Sequence, residues 1–408
     1  MAEKCLGPVA TSTLPGIMEG MRADRLVMPR RVRPTWAEVD LEAVRHNVVA
    51  LVAAAAPAEL CAVVKADAYG HGAMPVARAA LDAGARWLAV ALVEEAVALR
   101  ESGIKAPILL LSEPPPEAFD VIAALDITAT LYTLRGVEAA ARAAHIRANG
   151  RPLDVHLKVD TGMRRVGVFG SELMMVAAAV GRSPQLKLDG LCTHLACADE
   201  PSSDYTEIQL HRFEKARSVL AGAGVRPRLV HAANSAGLMA HPAARYNFVR
   251  CGIAMYGYPP SPALAERLPL RPALTLHSRV SFVKTVEPGD GISYGQRYRR
   301  DERRIIATVP IGYADGVPRG LGAAGAAVLI GGRRRDIAGT VTMDQITIDC
   351  GPPTPDTVRV GDEVALIGSQ GKATVTAQEW ADRTGTISYE VLCGISSRVP
   401  RQYANNPR

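Results

Sequence analysis

The sequence has no uninterrupted apolar segment as long as the roughly 20 residues that a membrane-spanning helix requires. Its longer apolar stretches are broken by charge, as in WLAVALVEEAV, where Glu94 and Glu95 interrupt the run. It also has no Cys-x-x-Cys pair, and its 7 cysteines are an odd number that lie mostly in apolar segments. We therefore expect reduced core thiols, a cytoplasmic location and no membrane partner.

Positive charge is present but is not concentrated. The formal net charge is +6, yet the one dense basic cluster, residues 333–335, has no interleaved aromatic residues. This pattern is typical of a solvated hairpin tip and predicts no nucleic-acid partner. Metal ligands are also scarce: Cys192, His194 and Cys197 lie close together, but a structural zinc needs four ligands and no second cluster supplies them. We therefore expect no metal site.

Length and composition predict two domains. A chain of 408 residues with 48% hydrophobic residues exceeds one typical domain and can bury a large core. Residues 1–33 contain Pro, Gly and Arg but no apolar signal core, so we interpret them as a disordered N-terminal extension or a misplaced start. We place the first domain at residues 34–268 and the second at residues 269–408.

From Thr35 onward, short β-rich runs alternate with Ala-rich helical stretches, as in the βαβ units of a parallel sheet. A leading strand at residues 36–39 precedes a helix for which Asp40 is the predicted N-cap. Eight further runs follow, which is the number of strands that closes an α/β barrel. An open doubly wound sheet is the alternative. The runs are residues 61–64, 87–92, 107–112, 127–132, 154–159, 188–195, 228–233 and 246–251.

Beyond Pro259-Pro260 the pattern changes. Strands come at short intervals between Gly, Pro and Asp turns, with one short helix near residues 377–383. This favours a mostly β C-terminal domain. The predicted fold is therefore an α/β chain with an eight-stranded (β/α)8 TIM-type barrel, followed by a mostly β domain.

The unusual polar residues of the predicted barrel follow its strands. In such a barrel the active site lies at the carboxyl ends of the strands, and a phosphate commonly docks after the last two. We therefore expect these residues to meet at one rim. They are Lys65, Arg165, His194, Asn234, Ser235, Arg250, Gly252 and Ile253.

Two features of this rim suggest a cofactor. Lys65 directly follows an apolar run. Desolvation lowers the pKa of a lysine, so that its amine can form a Schiff base. The ordinary alternative is a surface residue, which is what a single lysine more often is. Ser235 and the backbone amides of Gly252 and Ile253 can bind phosphate oxygens. A lysine that can condense with an aldehyde, together with groups that can bind a phosphate, indicates a site for pyridoxal phosphate.

The chain resembles the bacterial alanine racemase family, whose motifs occur in order between about residues 33 and 403. The resemblance implies a pyridoxal-phosphate-dependent isomerase that interconverts L-alanine and D-alanine and works as a homodimer with shared active sites. It also implies that D-alanine is supplied for peptidoglycan, although breakdown of L-alanine is left open. The motifs are VVKADAYGHG, LKVDTGMRRVGV, HAANSA, RCGIAMYG, ISYGQRY, PIGYADG and TMDQITID.

The resemblance also implies two catalytic bases. Lys65 would carry the cofactor and act on one face of the substrate Cα, while Tyr294 of the partner subunit would act on the opposite face. Racemisation needs this arrangement because a proton removed from one side must be returned to the other. Arg165 and the backbone of Met343, the latter again from the partner, would bind the substrate carboxylate.

The remaining implied contacts are to the cofactor. His194 would stack on its ring, and Arg250 would face the pyridine nitrogen. An arginine is permanently cationic and does not keep that nitrogen protonated, so the ring becomes a poorer electron sink and side reactions are disfavoured. The residues implied to hold the phosphate are Tyr69, Ser235, Gly252, Ile253 and Tyr389.

Two other positions match residues of the family, and three differ from its usual pattern. Lys158 aligns with a lysine that some family members carbamylate, and Tyr313 would either narrow the entrance or be an ordinary core tyrosine. Many members have glycine in place of Arg164, arginine in place of Thr340, and an aromatic residue in place of Ser397.

Three rival functions share part of this chemistry. The first is a racemase of serine or of a broader set of amino acids. The second is a pyridoxal-phosphate-binding protein without turnover, a class that lacks the β domain. The third is a related barrel-fold (fold-type III) decarboxylase, which has a carboxylate where this chain has Arg250.

Overall fold

The computed structural model of the protein describes residues 32–147, 150–355 and 358–404. The described residues from Thr35 onward belong to one compact unit. Apart from residues 32 and 33, the predicted disordered extension lies outside the described residues.

Parallel strands form the barrel that the sequence predicts, and each of the eight predicted runs overlaps one of them, although β2, β6 and β7 begin one or two residues before their predicted runs. Within the described residues they are β2 (Glu59–Val63), β3 (Trp87–Val90), β4 (Ile108–Leu110), β5 (Ala129–Leu131), β6 (Leu153–Lys158), β7 (Leu186–Cys192), β8 (Leu229–His231) and β9 (Phe248–Cys251). They pair as β4-β3-β2-β9 and β5-β6-β7-β8. A parallel bridge between Leu109 and Thr128 joins β4 to the segment before β5. The Arg250 amide donates to the Ala233 carbonyl (3.0 Å), which closes the ring between β8 and β9.

Helices lie between the strands and cover the outside of the barrel. Those of the first part of the chain are α1 (Leu41–Ala55), α2 (Lys65–Gly70), α3 (Ala73–Asp82), α4 (Val93–Glu101), α5 (Phe119–Ala124), α6 (Leu134–Ala143), α7 (Glu172–Gly181), α8 (Tyr205–Gly222) and α9 (Ser235–Ala240). The predicted N-cap of α1 is confirmed, because Asp40 accepts hydrogen bonds from the amides of Glu42 and Ala43. The segment α2 is not a right-handed helix, because residues 66–69 have left-handed backbone angles.

A large mixed sheet forms most of the C-terminal region. Its strands are β10 (Leu274–Arg279), β11 (Phe282–Val286), β12 (Arg304–Val309), β13 (Ala327–Ile330), β14 (Arg333–Ile337), β15 (Ile346–Asp349), β16 (Glu363–Gln370), β17 (Ala373–Val375) and β18 (Arg401–Ala404). The order is β11-β12-β15-β14-β13-β16-β10 and continues into the first strand of the chain, β1 (Trp36–Asp40), and then β18. The basic cluster, predicted at a hairpin tip, lies in β14 and begins directly after the turn between β13 and β14.

Two features of this region differ from the prediction. First, β1 lies within the predicted barrel domain, yet it pairs antiparallel with β10 and parallel with β18. Second, two helices occur where one was predicted: α10 (Ala377–Thr384) and α11 (Ser388–Gly394). The pattern missed α11 because it has only 7 residues, of which Ser388, Val391 and Leu392 are buried, too short for a clear helical period.

Candidate active site

A cavity of about 660 Å³ lies at the carboxyl ends of the barrel strands. One wall comes from the C-terminal region, where α11 contributes Tyr389, Glu390 and Cys393. The barrel and the helix that the sequence missed therefore build the cavity together. The predicted site residues that line it are Lys65, Tyr69, Arg165, His194, Ser235, Arg250, Gly252, Ile253 and Tyr389.

Lys65 is half-buried at the start of α2, just beyond the end of β2. Burial lowers the pKa of its amine below the usual value, and the positive charge of Arg165 lowers the pKa further. A lowered pKa leaves more of the amine unprotonated, which is the form that condenses with an aldehyde. Lys65, which the sequence indicated as the lysine that forms a Schiff base, therefore has the lowered pKa that this reaction requires.

The segment after Lys65 is a left-handed turn. Residues 66–69 all have φ between 51° and 54° and ψ between 41° and 51°. Left-handed backbone costs roughly 1–2 kcal/mol for each residue that has a Cβ, so four in succession must be held by other contacts. The side chain of Asp67 accepts from the Ala73 amide (2.7 Å), and Arg401 donates to the Gly70 carbonyl (2.9 Å).

This turn places Tyr69 against the wall of the cavity. Its ring lies 4.8 Å from the ring of Tyr256 and 6.0 Å from that of Tyr389, centroid to centroid. A Cβ atom at Gly252 would lie only 2.4 Å from the Tyr69 hydroxyl. The Gly252 amide in turn donates to the Ser235 hydroxyl (3.0 Å). A tyrosine hydroxyl, a serine hydroxyl and a backbone amide thus converge where a larger residue than glycine would not fit.

Arg250 is held by neutral acceptors. It is 6% exposed and donates to the carbonyls of Thr193 (3.0 Å) and Ala232 (3.1 Å) and to Nδ1 of His231 (2.7 Å). Burial lowers the Arg250 pKa from its usual value, but an arginine stays protonated at physiological pH. Its guanidinium is therefore a fixed cation in the floor of the cavity.

The charge of Arg250 determines the protonation of two buried histidines that our sequence reasoning missed. Because Nδ1 of His231 accepts from Arg250, the ring proton is on Nε2, which lies 2.9 Å from Nδ1 of His156. Burial and the Arg250 charge hold the pKa of His231 well below its usual value, and burial lowers the pKa of His156 to about 3. Both rings are therefore neutral. A polar residue inside an otherwise apolar strand was the only sequence signal for them.

Two further residues complete this part of the cavity. Lys158 is 7% exposed and donates to the Leu111 carbonyl (3.2 Å), and burial lowers the pKa of its amine. His194 lies 3.4 Å from Arg250 through Nδ1. Burial and then the charge of Arg250 hold the His194 pKa well below its usual value, so this ring is also neutral.

The cavity has an excess of positive charge. Among the described residues that line it, the basic side chains are Lys65, Lys158, Arg165 and Arg250, and the carboxylate is Glu390. Such a cavity favours a ligand with negative groups, because its own cations repel one another at close range. Phosphate and carboxylate groups satisfy this requirement.

Tyr294 and Met343 are the two predicted site residues that do not line this cavity. Both are on the surface of the β domain, with exposed fractions of 70% and 52%. The Thr340 hydroxyl donates to the Tyr294 carbonyl (3.1 Å). The amides of Tyr313 and Ala314 donate to the carbonyls of Thr342 (2.9 Å) and Met343 (3.0 Å). The loops that carry Tyr294, Tyr313 and Met343 are thus fixed to one another, and we call this exposed group the β-domain platform.

Comparison with known proteins identifies the family. The model of the alanine racemase N-terminal domain matches residues 39–260, and that of the alanine racemase C-terminal domain matches residues 273–403. The chain belongs to the alanine racemase family. It is 51% identical to the alanine racemase of Symbiobacterium thermophilum, over 91% of this chain and 97% of that protein. It is 44% identical to alanine racemase 1 of Bacillus subtilis, over 92% and 94% of the two chains.

Solved structures of the family have the same fold. The alanine racemase of Bacillus anthracis with bound L-Ala-P superimposes with a TM-score of 0.85 at 42% identity, and 93% of this chain and 97% of that chain are covered. The enzyme from Streptomyces lavendulae gives a TM-score of 0.86 at 39% identity, covering 92% and 98%. The barrel with its β domain is therefore the alanine racemase fold, and the open sheet is excluded.

The residues of the cavity fit pyridoxal phosphate, the cofactor of this family. An amine with a lowered pKa is available for the aldehyde, the crowded space at Gly252 contains polar groups suited to a phosphate, and the excess positive charge suits an anion. When bound, the cofactor withdraws electrons from the substrate and so acidifies the proton on its Cα. Among the described residues, no group of three or more His, Cys, Asp or Glu side chains is arranged to hold a metal ion.

One departure from the family pattern has a structural explanation. Arg164, at a position where the resemblance implies glycine in many members, has φ of 56°, a conformation that glycine adopts without strain. In this chain the Arg164 guanidinium lies over the Phe169 ring, 4.6 Å from its centroid. This cation–π contact offsets part of the strain.

The close approach of Gly252 and Tyr69 can be tested by adding one methyl group. We expect Gly252→Ala to weaken pyridoxal phosphate binding about tenfold, because relieving an overlap of this kind costs about 1–3 kcal/mol and tenfold corresponds to about 1.4 kcal/mol. Absorbance titration of the cofactor-free protein measures the effect. Gly181→Ala is the control, since a Cβ at Gly181 meets nothing within 4 Å. Equal affinities for both variants and the wild type would contradict this description of the cavity.

Proposed function

We propose that this protein is an alanine racemase that interconverts L-alanine and D-alanine with pyridoxal phosphate. The observation that carries the proposal is the cationic cavity around Lys65 in a chain of this family. The curated relatives named above are alanine racemases over nearly their whole length. A cavity with several cations suits a ligand that combines the cofactor phosphate with a substrate carboxylate.

In this proposal Lys65 has two tasks. Its Nζ would carry the cofactor and would also move a proton to or from one face of the substrate Cα. The lowered pKa of this amine supports both tasks, because a lysine that is protonated at neutral pH can neither attack an aldehyde nor accept a proton.

The cofactor would be held at both ends of the cavity. His194 would stack on the ring, and Arg250 would face the pyridine nitrogen as a donor whose other hydrogen bonds fix its orientation. An arginine at this position leaves the ring nitrogen unprotonated, which disfavours a decarboxylase. The residues proposed to bind the phosphate are Tyr69, Ser235, Gly252, Ile253 and Tyr389.

The substrate carboxylate would bind to Arg165 and to the Met343 backbone of a second subunit. Arg165 lines the cavity beside Lys65, and its charge already acts on that amine. A methyl side chain would fit the entrance narrowed by Tyr313. The alternative for the substrate is serine or a broader set of amino acids, on which a racemase of the same mechanism would act.

The second base would be Tyr294 of a second subunit, so that the active sites exist only in a homodimer. The β-domain platform supports this proposal because Tyr294 is 70% exposed and lies outside the cavity of its own chain. Tyrosine is enriched at protein interfaces, so an exposed tyrosine on a loop held in place by hydrogen bonds is suited to contact a partner. Thr340, at a position where many family members have arginine, donates one of the hydrogen bonds that hold the Tyr294 loop.

The physiological role would be cytoplasmic supply of D-alanine for peptidoglycan. The free cysteines of the described residues support a reducing compartment. No helix of the described residues is long and apolar enough to cross a membrane. The chain is also 36% identical to the biosynthetic alanine racemase of Pseudomonas aeruginosa, with a TM-score of 0.81.

Growth tests this role. A strain that lacks the gene should stop growing without D-alanine and recover when D-alanine is supplied, because D-alanine is then the missing wall precursor. Normal growth of the deletion strain without D-alanine, with loss of growth on L-alanine as carbon source, would instead indicate a catabolic role.

The role of Lys65 can be tested by removing its amine. In deuterated water the wild type should form D-alanine from L-alanine and incorporate deuterium at Cα, whereas Lys65→Ala should do neither and should lose the absorbance of the lysine-linked cofactor. Borohydride reduction followed by peptide mapping identifies the attachment site. Release of carbon dioxide would indicate a decarboxylase, and absence of exchange in the wild type would leave only a binding protein.

The role of Tyr294 can be tested by removing its hydroxyl. We expect Tyr294→Phe to retain cofactor binding but to lose at least about 100-fold in turnover of L-alanine, since a positioned base contributes roughly 10²- to 10⁴-fold. Racemisation of D-alanine falls equally because the equilibrium is fixed, but the Cα proton of the enantiomer whose proton faces Lys65 should still exchange with solvent, because that exchange needs only Lys65. Normal racemisation in both directions would show that Tyr294 is not a base.

A further inference from the structure

Glu95 connects two neighbouring loops at the mouth of the barrel. Its Oε1 accepts a hydrogen bond from the Ala66 amide (2.6 Å), immediately after Lys65. Its Oε2 accepts from the amides of Ala91 (2.9 Å) and Leu92 (3.1 Å), which follow β3. One carboxylate thus joins the backbone after β2 to the backbone after β3.

We propose that Glu95 is a positioning residue for Lys65: its carboxylate anchors the first residue of the left-handed turn and so fixes where the Lys65 amine enters the cavity. The inference rests on the proposed role of Lys65 as the cofactor-bearing lysine. It concerns a residue outside the lining of the cavity, which acts through the backbone.

The need for this anchor follows from the backbone of α2. Residues 66–69 are left-handed, so the isolated segment would relax toward more favourable conformations. Asp67 and Arg401 hold the far end of the turn through the Ala73 amide and the Gly70 carbonyl. The contact of Glu95 with Ala66 holds the near end, adjacent to Lys65. Hydrogen bonds from backbone amides to a carboxylate are among the stronger ones available for this purpose.

The charge of Glu95 also acts on the amine. The groups that face Lys65 are Arg165, Lys158, His194, Cys393 and Glu95. Burial and Arg165 lower the Lys65 pKa, whereas Glu95 raises it. Glu95 therefore limits how far the pKa of the amine falls in a cavity rich in cations.

An ordinary helix cap is the simpler explanation of Glu95. It is the third residue of α4 (Val93–Glu101), and its contact with the Leu92 amide is the usual reach-back of a capping box. That role uses only Oε2 and predicts no effect on Lys65. Glu113 provides a natural comparison, because it makes the same kind of bridge to the amides of Tyr132 (2.6 Å) and Thr133 (2.9 Å), after β5.

The experiment compares Glu95→Gln with three other variants in the cofactor-free protein. Glu94→Gln removes the charge of an exposed neighbour, Glu113→Gln weakens the equivalent bridge elsewhere, and Glu95→Asp keeps the charge but shortens the reach. Hydrogen exchange of peptides that cover residues 62–72 reports on the turn. Competitive labelling with acetic anhydride over a range of pH, read out on the Lys65 peptide, reports on the amine.

Glu95→Gln should speed exchange of the turn about tenfold, as expected for the loss of a hydrogen bond to a charged group. It should also move the midpoint of Lys65 labelling to lower pH, because the group that raises the pKa has lost its charge. Glu94→Gln and Glu113→Gln should leave both unchanged, and Glu95→Asp should keep the midpoint closer to the wild type than Glu95→Gln does.

Both changes are required. Faster exchange without a shifted midpoint would show that Glu95 holds the turn without acting on the Lys65 amine. A shifted midpoint without faster exchange would show that it does not hold the turn, and no change in either would leave Glu95 as a helix cap only. Each of these three results overturns the proposal. If borohydride mapping places the cofactor on a different lysine, the proposed role of Lys65 fails, while the exchange result for the turn remains valid.

Discussion

The amine of Lys65 must be shielded from bulk water and still be accessible to a ligand. Much of the structure around the barrel mouth satisfies this requirement. Lys65 stands where a buried strand meets the cavity, and burial lowers the pKa of its amine. A normal helix or loop after β2 would place the following residues differently. The chain instead adopts four left-handed residues, whose strain is offset by contacts with Asp67, Arg401 and Glu95.

The second feature on which the site depends is fixed positive charge. Arg250 has only neutral hydrogen-bond partners in the described structure, and it orders the protons of His231 and His156 behind it. The cavity is therefore rigid where the ring of the cofactor would lie and attractive to anions where the phosphate and carboxylate would lie. The second proposed base, by contrast, is on the β-domain platform, which is exposed and outside the lining of the cavity of its own chain. Under the proposed mechanism, the cavity of one chain would therefore need a partner to supply its second base.

Much of this could be predicted from the sequence. The eight strand positions followed from the alternation of apolar runs and Ala-rich stretches, because that pattern reflects burial in a parallel sheet. The rim residues followed from their positions after those strands. The sequence did not reveal the pairing of β1 with β10, since contacts between residues far apart in the chain leave no local pattern. It also did not reveal the left-handed turn, because KADAY contains no glycine to signal it, or α11, which is too short. His156, His231 and Glu95 were overlooked because their roles depend on what they contact and not on their spacing.

The central claim is that two bases, one from each subunit, lie on opposite sides of the substrate carbon. A crystal structure of the protein loaded with pyridoxal phosphate tests it most directly. We expect the cofactor to be joined to Lys65 and the phenol of the partner subunit's Tyr294 to lie within proton-transfer distance on the opposite face of the ring. A loaded structure in which both copies of Tyr294 are remote from the cofactor would contradict the account.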